Sequence, residues 1–144
     1  MSITMKLTMR SVLCGAIMLV AAYDLHASGK EVVSGHSHGL TVSIVNDSGK
    51  FLAGSNDFCV EFTKTPNATP ASVKDVAVEF AQQVGRIRER PIHAQIAEDN
   101  PGHFCGKVDL GTQYYQSATY YVFIHYTDIS GKKRKYRLFL IVRA

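Results

Sequence analysis

The feature that most constrains this chain is a two-residue alternation of apolar and polar side chains, repeated between turn signals. "LTVSIV" (40–45) sets Leu40, Val42 and Ile44 against Thr41 and Ser43. "DFCVEFTK" (57–64) puts Phe58, Val60 and Phe62 on one side, and "VKDVAVEFAQQ" (73–83) does the same with Val76, Val78 and Phe80. "HFCGKVDL" (103–110) groups Phe104, Val108 and Leu110, and "ATYYVFIHYTD" (118–128) groups Tyr120, Val122, Ile124 and Tyr126. "PIHAQIAE" (91–98) is a weaker run, and "KYRLFLIV" (135–142) closes the chain. Successive side chains on a strand point to opposite faces, so each run has one face for a core. "NDSGK", "TPNATPAS", "EDNPGH" and "SGK" separate the runs. Asn and Asp bond their own backbone there, and Gly accepts positive φ. The pattern predicts an all-β antiparallel β-sandwich of about seven strands. The one helical candidate, "VAVEFAQQVGRIRER", is opposed by its β-branched start and by Gly85.

Residues 1–27 read as a secretory signal peptide. Lys6 and Arg10 precede the uncharged run "SVLCGAIMLVAAY", and "LHA" ends at Ala27. The run is short for a spanning helix of about 17–25 apolar residues, but an uncleaved anchor is the alternative. Residues 28–38 are expected as a flexible lead-in and 39–144 as the sandwich domain. The domain is then periplasmic or secreted, or held at the inner membrane with the domain outside the cytoplasm. Membrane association follows only if the leader is uncleaved. Without the leader the net charge is +3 with neutral histidines. That mild excess does not fit a nucleic-acid binder.

Export places Cys59 and Cys105 where disulfides persist. Each alternates away from its apolar neighbours and so faces outward. In an immunoglobulin-like order the second and fifth strands adjoin, which allows a cross-strand disulfide. Two free thiols, or a thiolate metal or redox pair, remain open. Among the histidines, His36 and His38 form an H-x-H pair in "SGHSHGL". On a strand that spacing points both imidazoles one way, and imidazole suits zinc or copper. Two ligands do not close a site, and ordering a Gly-flanked segment costs about 1–2 kcal/mol per residue. If the fourth and fifth strands pair, His93, His103, Cys105 and Cys59 share one outer face. His125 is expected to be a satisfied sheet residue. Glu61, Glu79 and Asp109 are outer-face carboxylates without an evident partner.

No G-x-S-x-G elbow, P-loop or H-E-x-x-H motif is present. No catalytic residue is assigned, and the chain is expected not to be an enzyme. Six tyrosines fall within 114–136. Tyr114, Tyr115, Arg86, Arg88, Arg90, Lys132, Lys133 and Arg134 are candidates for an interaction surface, because tyrosine and arginine anchor interfaces.

The order of segments also resembles the YtkA-like/FixH-like periplasmic domains. "NPGHFCGKVDLG" (100–111) is similar to that family's "pG-x-Y-x-a-x-v-x-L" strand, with Phe104 in the aromatic slot. "YYVFIHYTDISGKKRKYRLFLIV" resembles its closing hairpin, and "GSNDFCVEFTK" its early strand. The resemblance implies a small, immunoglobulin-like, exported or membrane-tethered β-sandwich associated with copper transport, metal efflux or oxidase assembly. The chain departs from the family where members carry a methionine-rich "MP-x-MG"-like stretch. It reads "QQVGRIRERPIHAQ" there, and its methionines, at 1, 5, 9 and 18, all lie in the leader. A thioether copper(I) site is therefore absent from the domain. Two readings result: an exported non-catalytic accessory module for envelope metal handling, efflux or oxidase assembly, with copper or zinc as the metal; or a metal-free protein-interaction module with a structural disulfide. Both imply an envelope protein partner.

Overall fold

A computed structural model describes residues 29–112 and 116–144. The expected leader, with Tyr114 and Tyr115, lies outside the described residues. Twelve strand segments follow in order: β1 (Lys30–Ser37), β2 (Leu40–Asn46), β3 (Phe51–Leu52), β4 (Ser55–Lys64), β5 (Thr69–Pro70), β6 (Lys74–Val84), β7 (Ile87–Arg88), β8 (Ile92–His93), β9 (Gln95–Asn100), β10 (His103–Asp109), β11 (Ser117–Thr127) and β12 (Lys133–Arg143). They form two sheets. The first runs β1-β2-β4-β10-β9, with β5 beside β4; the second runs β3-β12-β11-β6-β7, with β8 beside β6. Pairing is antiparallel except for β3 against β12. The β-sandwich expectation holds.

The alternation sets the core. Leu40, Val42, Ile44, Phe58, Val60, Phe62, Phe104 and Val108 are buried from the first sheet. Val78, Phe80, Tyr120, Val122, Ile124, Tyr126, Leu138 and Leu140 meet them from the second. Each large apolar side chain withdrawn from water stabilises the fold by about 1.5–3 kcal/mol. The rings interlock across the gap. Phe58 meets Phe80 edge-on at 5.4 Å, and Phe62 meets Tyr126 at 5.0 Å. The Tyr126 hydroxyl donates to Ser37 Oγ at 3.1 Å and so ties the second sheet to the end of β1.

Two expectations are corrected. Residues 30–37 are not a flexible lead-in. They form edge strand β1, paired with β2 from Lys30↔Asn46 to Ser37↔Leu40. The ladder hydrogen bonds, and Val32 and Val33 packed against the core, offset the ordering cost. Gly35 permits the fit, because a Cβ there would lie 2.0 Å from the Tyr136 hydroxyl. The segment 91–98 is also not one strand. It changes sheets at Ala94, whose N–H donates to Val78 O. β8 joins β6 in the second sheet, while β9 joins β10 in the first.

Candidate functional site

Cys59 and Cys105 are direct partners on the β4–β10 ladder, and their sulfurs are bonded. The disulfide lies on the outer face, as the alternation requires. Both strands carry core side chains at even positions, Phe58, Val60 and Phe62 on β4 and Phe104 and Val108 on β10. The odd positions therefore stack outward in cross-strand pairs. Cys105↔Cys59 is one pair and His103↔Glu61 is the next. A C-x-E on one strand thus meets an H-x-C on the other.

His103 is held from both sides. Its Nδ1 contacts Asp99 Oδ1, and its Nε2 lies 3.6 Å from Glu61 Oε1. The two ring nitrogens are 3.6 and 3.7 Å from Cys105 Sγ, and Asp99 Oδ2 is 3.7 Å from the same sulfur. The Cys59 and Cys105 sulfurs and a His103 nitrogen all lie within 4.8 Å of one another. Burial pushes the Glu61 carboxyl above its ordinary range; His103 opposes that shift and Glu31 adds to it. A groove of about 800 Å³ opens beside the pair, lined by Cys59, Asp99, His103, Cys105 and Lys107 among others.

The other expected ligands lie elsewhere. His36 sits on β1 with Nδ1 3.1 Å from Thr41 Oγ1. His38 occupies the β1–β2 turn at φ 49°, its Nδ1 3.0 Å from Ser37 Oγ. The two are therefore not a same-face pair on one strand: the turn breaks the period-two geometry. His93 does not join the cysteine face, because β8 belongs to the second sheet. It lies opposite Glu79, with Nδ1 3.5 Å from Oε1. His125 faces Glu79 as well, its Nε2 3.5 Å from Oε2. That buried nitrogen has no hydrogen-bond partner among the described residues, contrary to the satisfied role expected of it.

A second feature occupies the outer face of the second sheet. Tyr121, Phe123 and Phe139 come together on β11 and β12, with ring centroids 6.4 Å apart for Tyr121–Phe123 and 5.8 Å for Tyr121–Phe139. Phe139 and Ile141 are 51% and 54% exposed. Three cations cover the rings. Arg88 lies over Tyr121 and Phe123, Lys135 over Phe123 at 4.5 Å, and Arg137 over Tyr121 at 5.1 Å. Among the described residues, Arg88 alone of the expected surface set joins this patch. Arg86, Arg90, Lys132 and Lys133 are exposed, in loops or at the β11–β12 hairpin. Arg134 is committed to the hairpin instead, its Nε donating to Asp128 Oδ2 at 2.8 Å. Lys135, Arg137 and Phe139 alternate along "KYRLFLIV" opposite the buried leucines, and that alternation was the signal for them.

Compared with protein-family models, curated proteins and solved structures, the chain matches none. The likeness to YtkA-like domains rests on its segment patterns alone.

Proposed function

We propose that this chain is an exported, non-catalytic binding module. It engages an acidic protein partner through the outer face of its second sheet. The observation that carries this reading is the patch itself: two aromatic rings, Tyr121 and Phe123, capped by Arg88, Lys135 and Arg137, beside half-exposed Phe139 and Ile141. Interface anchors are typically aromatic and arginine side chains surrounded by contacts that exclude water. Cations already stacked on rings are partly desolvated and oriented, which lowers the cost of meeting carboxylates. The Cys59–Cys105 bond lies on the opposite sheet and pins β4 to β10. Export rests on the leader pattern in the sequence. No helix among the described residues is long and apolar enough to cross a membrane.

Photo-crosslinking in the native cell tests the reading. A crosslinking residue at Phe139 is expected to give a discrete adduct of higher mass, lost when Arg137→Glu is added. The same residue at Lys107, on the other sheet, is expected to give none. Adducts at neither position, or equally at both, would sink the proposal.

A further inference from the structure

Reduction changes what the β4–β10 face can do. Disulfide-bonded sulfurs have no thiolate to offer a cation. Once reduced, Cys59 and Cys105 supply two sulfur ligands on adjacent strands, beside an imidazole and a carboxylate already in place. We propose that the Cys59–Cys105 disulfide is the closed form of a metal site, and that its reduction yields a tetrahedral Cys59–Cys105–His103–Glu61 centre for a divalent cation of the zinc class.

The distances fit that centre. Zinc binds sulfur at about 2.3 Å and nitrogen at about 2.0–2.1 Å, so a tetrahedral sulfur–nitrogen edge is about 3.6 Å. His103 Nε2 is 3.7 Å from Cys105 Sγ. A nitrogen–oxygen edge is about 3.3–3.5 Å by the same lengths, and His103 Nε2 is 3.6 Å from Glu61 Oε1. Cys59, Cys105 and His103 are the trio whose ligand atoms lie within 4.8 Å of one another. To complete the centre, the two sulfurs must part to about 3.8 Å and the Glu61 carboxylate must turn toward them. The two Cα atoms stand 4.0 Å apart with the bond closed, so opening the site lets the strands ease toward the usual spacing of about 4.5–5.5 Å between opposed Cβ atoms.

Asp99 supplies the supporting contact. It receives His103 Nδ1–H, which leaves Nε2 as the ligand nitrogen, 3.6 Å from Glu61 Oε1. Cys105 Sγ lies almost equidistant from the two ring nitrogens, so the ring turns to present Nε2 to the sulfur when a cation binds. A carboxylate behind a metal-bound imidazole fixes the tautomer and raises ligand basicity. The ligand set is mixed sulfur, nitrogen and oxygen, which suits zinc and not a hard cation such as magnesium.

The redox step balances with a dithiol reductant of the thioredoxin class. One dithiol passes two electrons and two protons to the disulfide, giving two cysteine thiols and the oxidised reductant. The cation then displaces both thiol protons and takes the two thiolates. Reoxidation by a protein disulfide reverses the sequence and releases the cation. The site is thus a redox-gated cation store, separate from the aromatic face on the other sheet.

The test uses the full chain, cobalt(II) as a spectroscopic probe and a phosphine reductant that leaves no competing thiol. The reduced chain is expected to bind one cobalt with a sulfur-to-cobalt charge-transfer band and intense tetrahedral d–d bands, both lost on adding zinc. The oxidised chain is expected to show neither band. Asp99→Asn is expected to keep the bands and weaken binding about 10–100-fold. His103→Ala is expected to remove the tetrahedral d–d pattern. Circular dichroism on each sample reports the fold. The proposal fails if the reduced chain shows no charge-transfer band. It fails if His103→Ala leaves spectrum and affinity unchanged, or if His36→Ala/His38→Ala abolishes binding. It fails too if reduction unfolds the sheet and zinc does not restore it.

Discussion

His103 sits directly across the β4–β10 ladder from Glu61, one outward-facing pair along from Cys105 and Cys59. Two antiparallel strands therefore present four chemically distinct groups as a two-by-two block. The block is rigid because its underside, Phe58, Val60, Phe62 and Phe104, is buried core. The same burial has an electrostatic cost. Glu61 is held above its ordinary pKa, so the folded state binds its proton more tightly than the unfolded chain does. Its contribution is full below about pH 4.3 and is lost as pH rises through the folded value. Glu61→Gln removes that dependence in the oxidised protein. The variant is expected to gain in melting temperature relative to the parent between pH 4 and pH 7. A variant that loses melting temperature relative to the parent over that range would contradict the burial account.

Removing the disulfide should be costly. The bridge closes a segment with a sequence separation of 46. Loop-closure entropy for such a segment corresponds to about 4 kcal/mol, within the usual range of about 2–5 kcal/mol for a native bridge. Cys59→Ala/Cys105→Ala, which leaves no stray thiol, is expected to lose about 2–4 kcal/mol in urea titrations. A loss below about 1 kcal/mol would mean that the bridge does not constrain the unfolded chain.

Asp128 organises the β11–β12 hairpin. It accepts from the Ser130 N–H and hydroxyl, from Lys132 N–H and from Arg134 Nε. The Ser130 hydroxyl, then Arg134, hold its carboxyl far below the usual range. The folded value is depressed, so its contribution is present above about pH 3.9 and falls as the pH drops below that. Asp128→Asn is expected to melt below the parent at pH 7, with the gap closing under acid. A gap constant with pH would point to lost side-chain geometry and not lost charge.

Much of the fold is legible in the sequence because one physical rule governs it. Period-two alternation placed Phe58, Val60, Phe62, Val78, Phe80, Tyr120, Val122 and Ile124 on the core side, and all are buried. It also turned Cys59 and Cys105 outward. Pairing across sheets is less legible, because it depends on where the chain leaves one sheet for the other. Ala94 makes that switch through one backbone hydrogen bond, and no side-chain pattern marks it. His93 was misplaced for that reason. β1 was missed because Gly35 and Ser37 look like turn chemistry. Their roles depend on Tyr136 and Tyr126, about a hundred residues away in a chain whose long-range packing a local pattern does not carry. Glu61 and His103 are 42 residues apart in sequence, and the β4–β10 register brings them together.

The β9–β10 pair depends on one residue without a side chain. A Cβ at Gly106 would lie 1.8 Å from Gln95 O and 2.7 Å from Ile96 Cα, both fixed backbone. No rotamer relieves such a contact, so β9 must move. Gly106→Ala is expected to cost about 1–3 kcal/mol or more, the range for overpacking. Hydrogen exchange should quicken at Gln95–Asn100 and stay slow in β11 and β12. Uniform loosening would mean that β9 is not an independent edge.

The final prediction concerns the H-x-H turn. The Tyr126 hydroxyl donates to Ser37 Oγ, which in turn contacts His38 Nδ1 at 3.0 Å. Tyr126 and Ser37 are both buried, so the hydroxyl of Ser37 cannot turn to water for a substitute. Tyr126→Phe keeps the ring against Phe62 and removes one hydrogen bond. It is expected to cost about 1–2 kcal/mol, a lost bond plus part of the desolvation penalty of Ser37. The loss should localise to β1 and its turn, because the rest of the core is untouched. Ser37→Ala/Tyr126→Phe should then cost less than the two single losses added together, since each single variant already breaks the shared bond. Additive losses in that double-mutant cycle would show that β1 is held by its ladder alone, with the turn histidine free of the core.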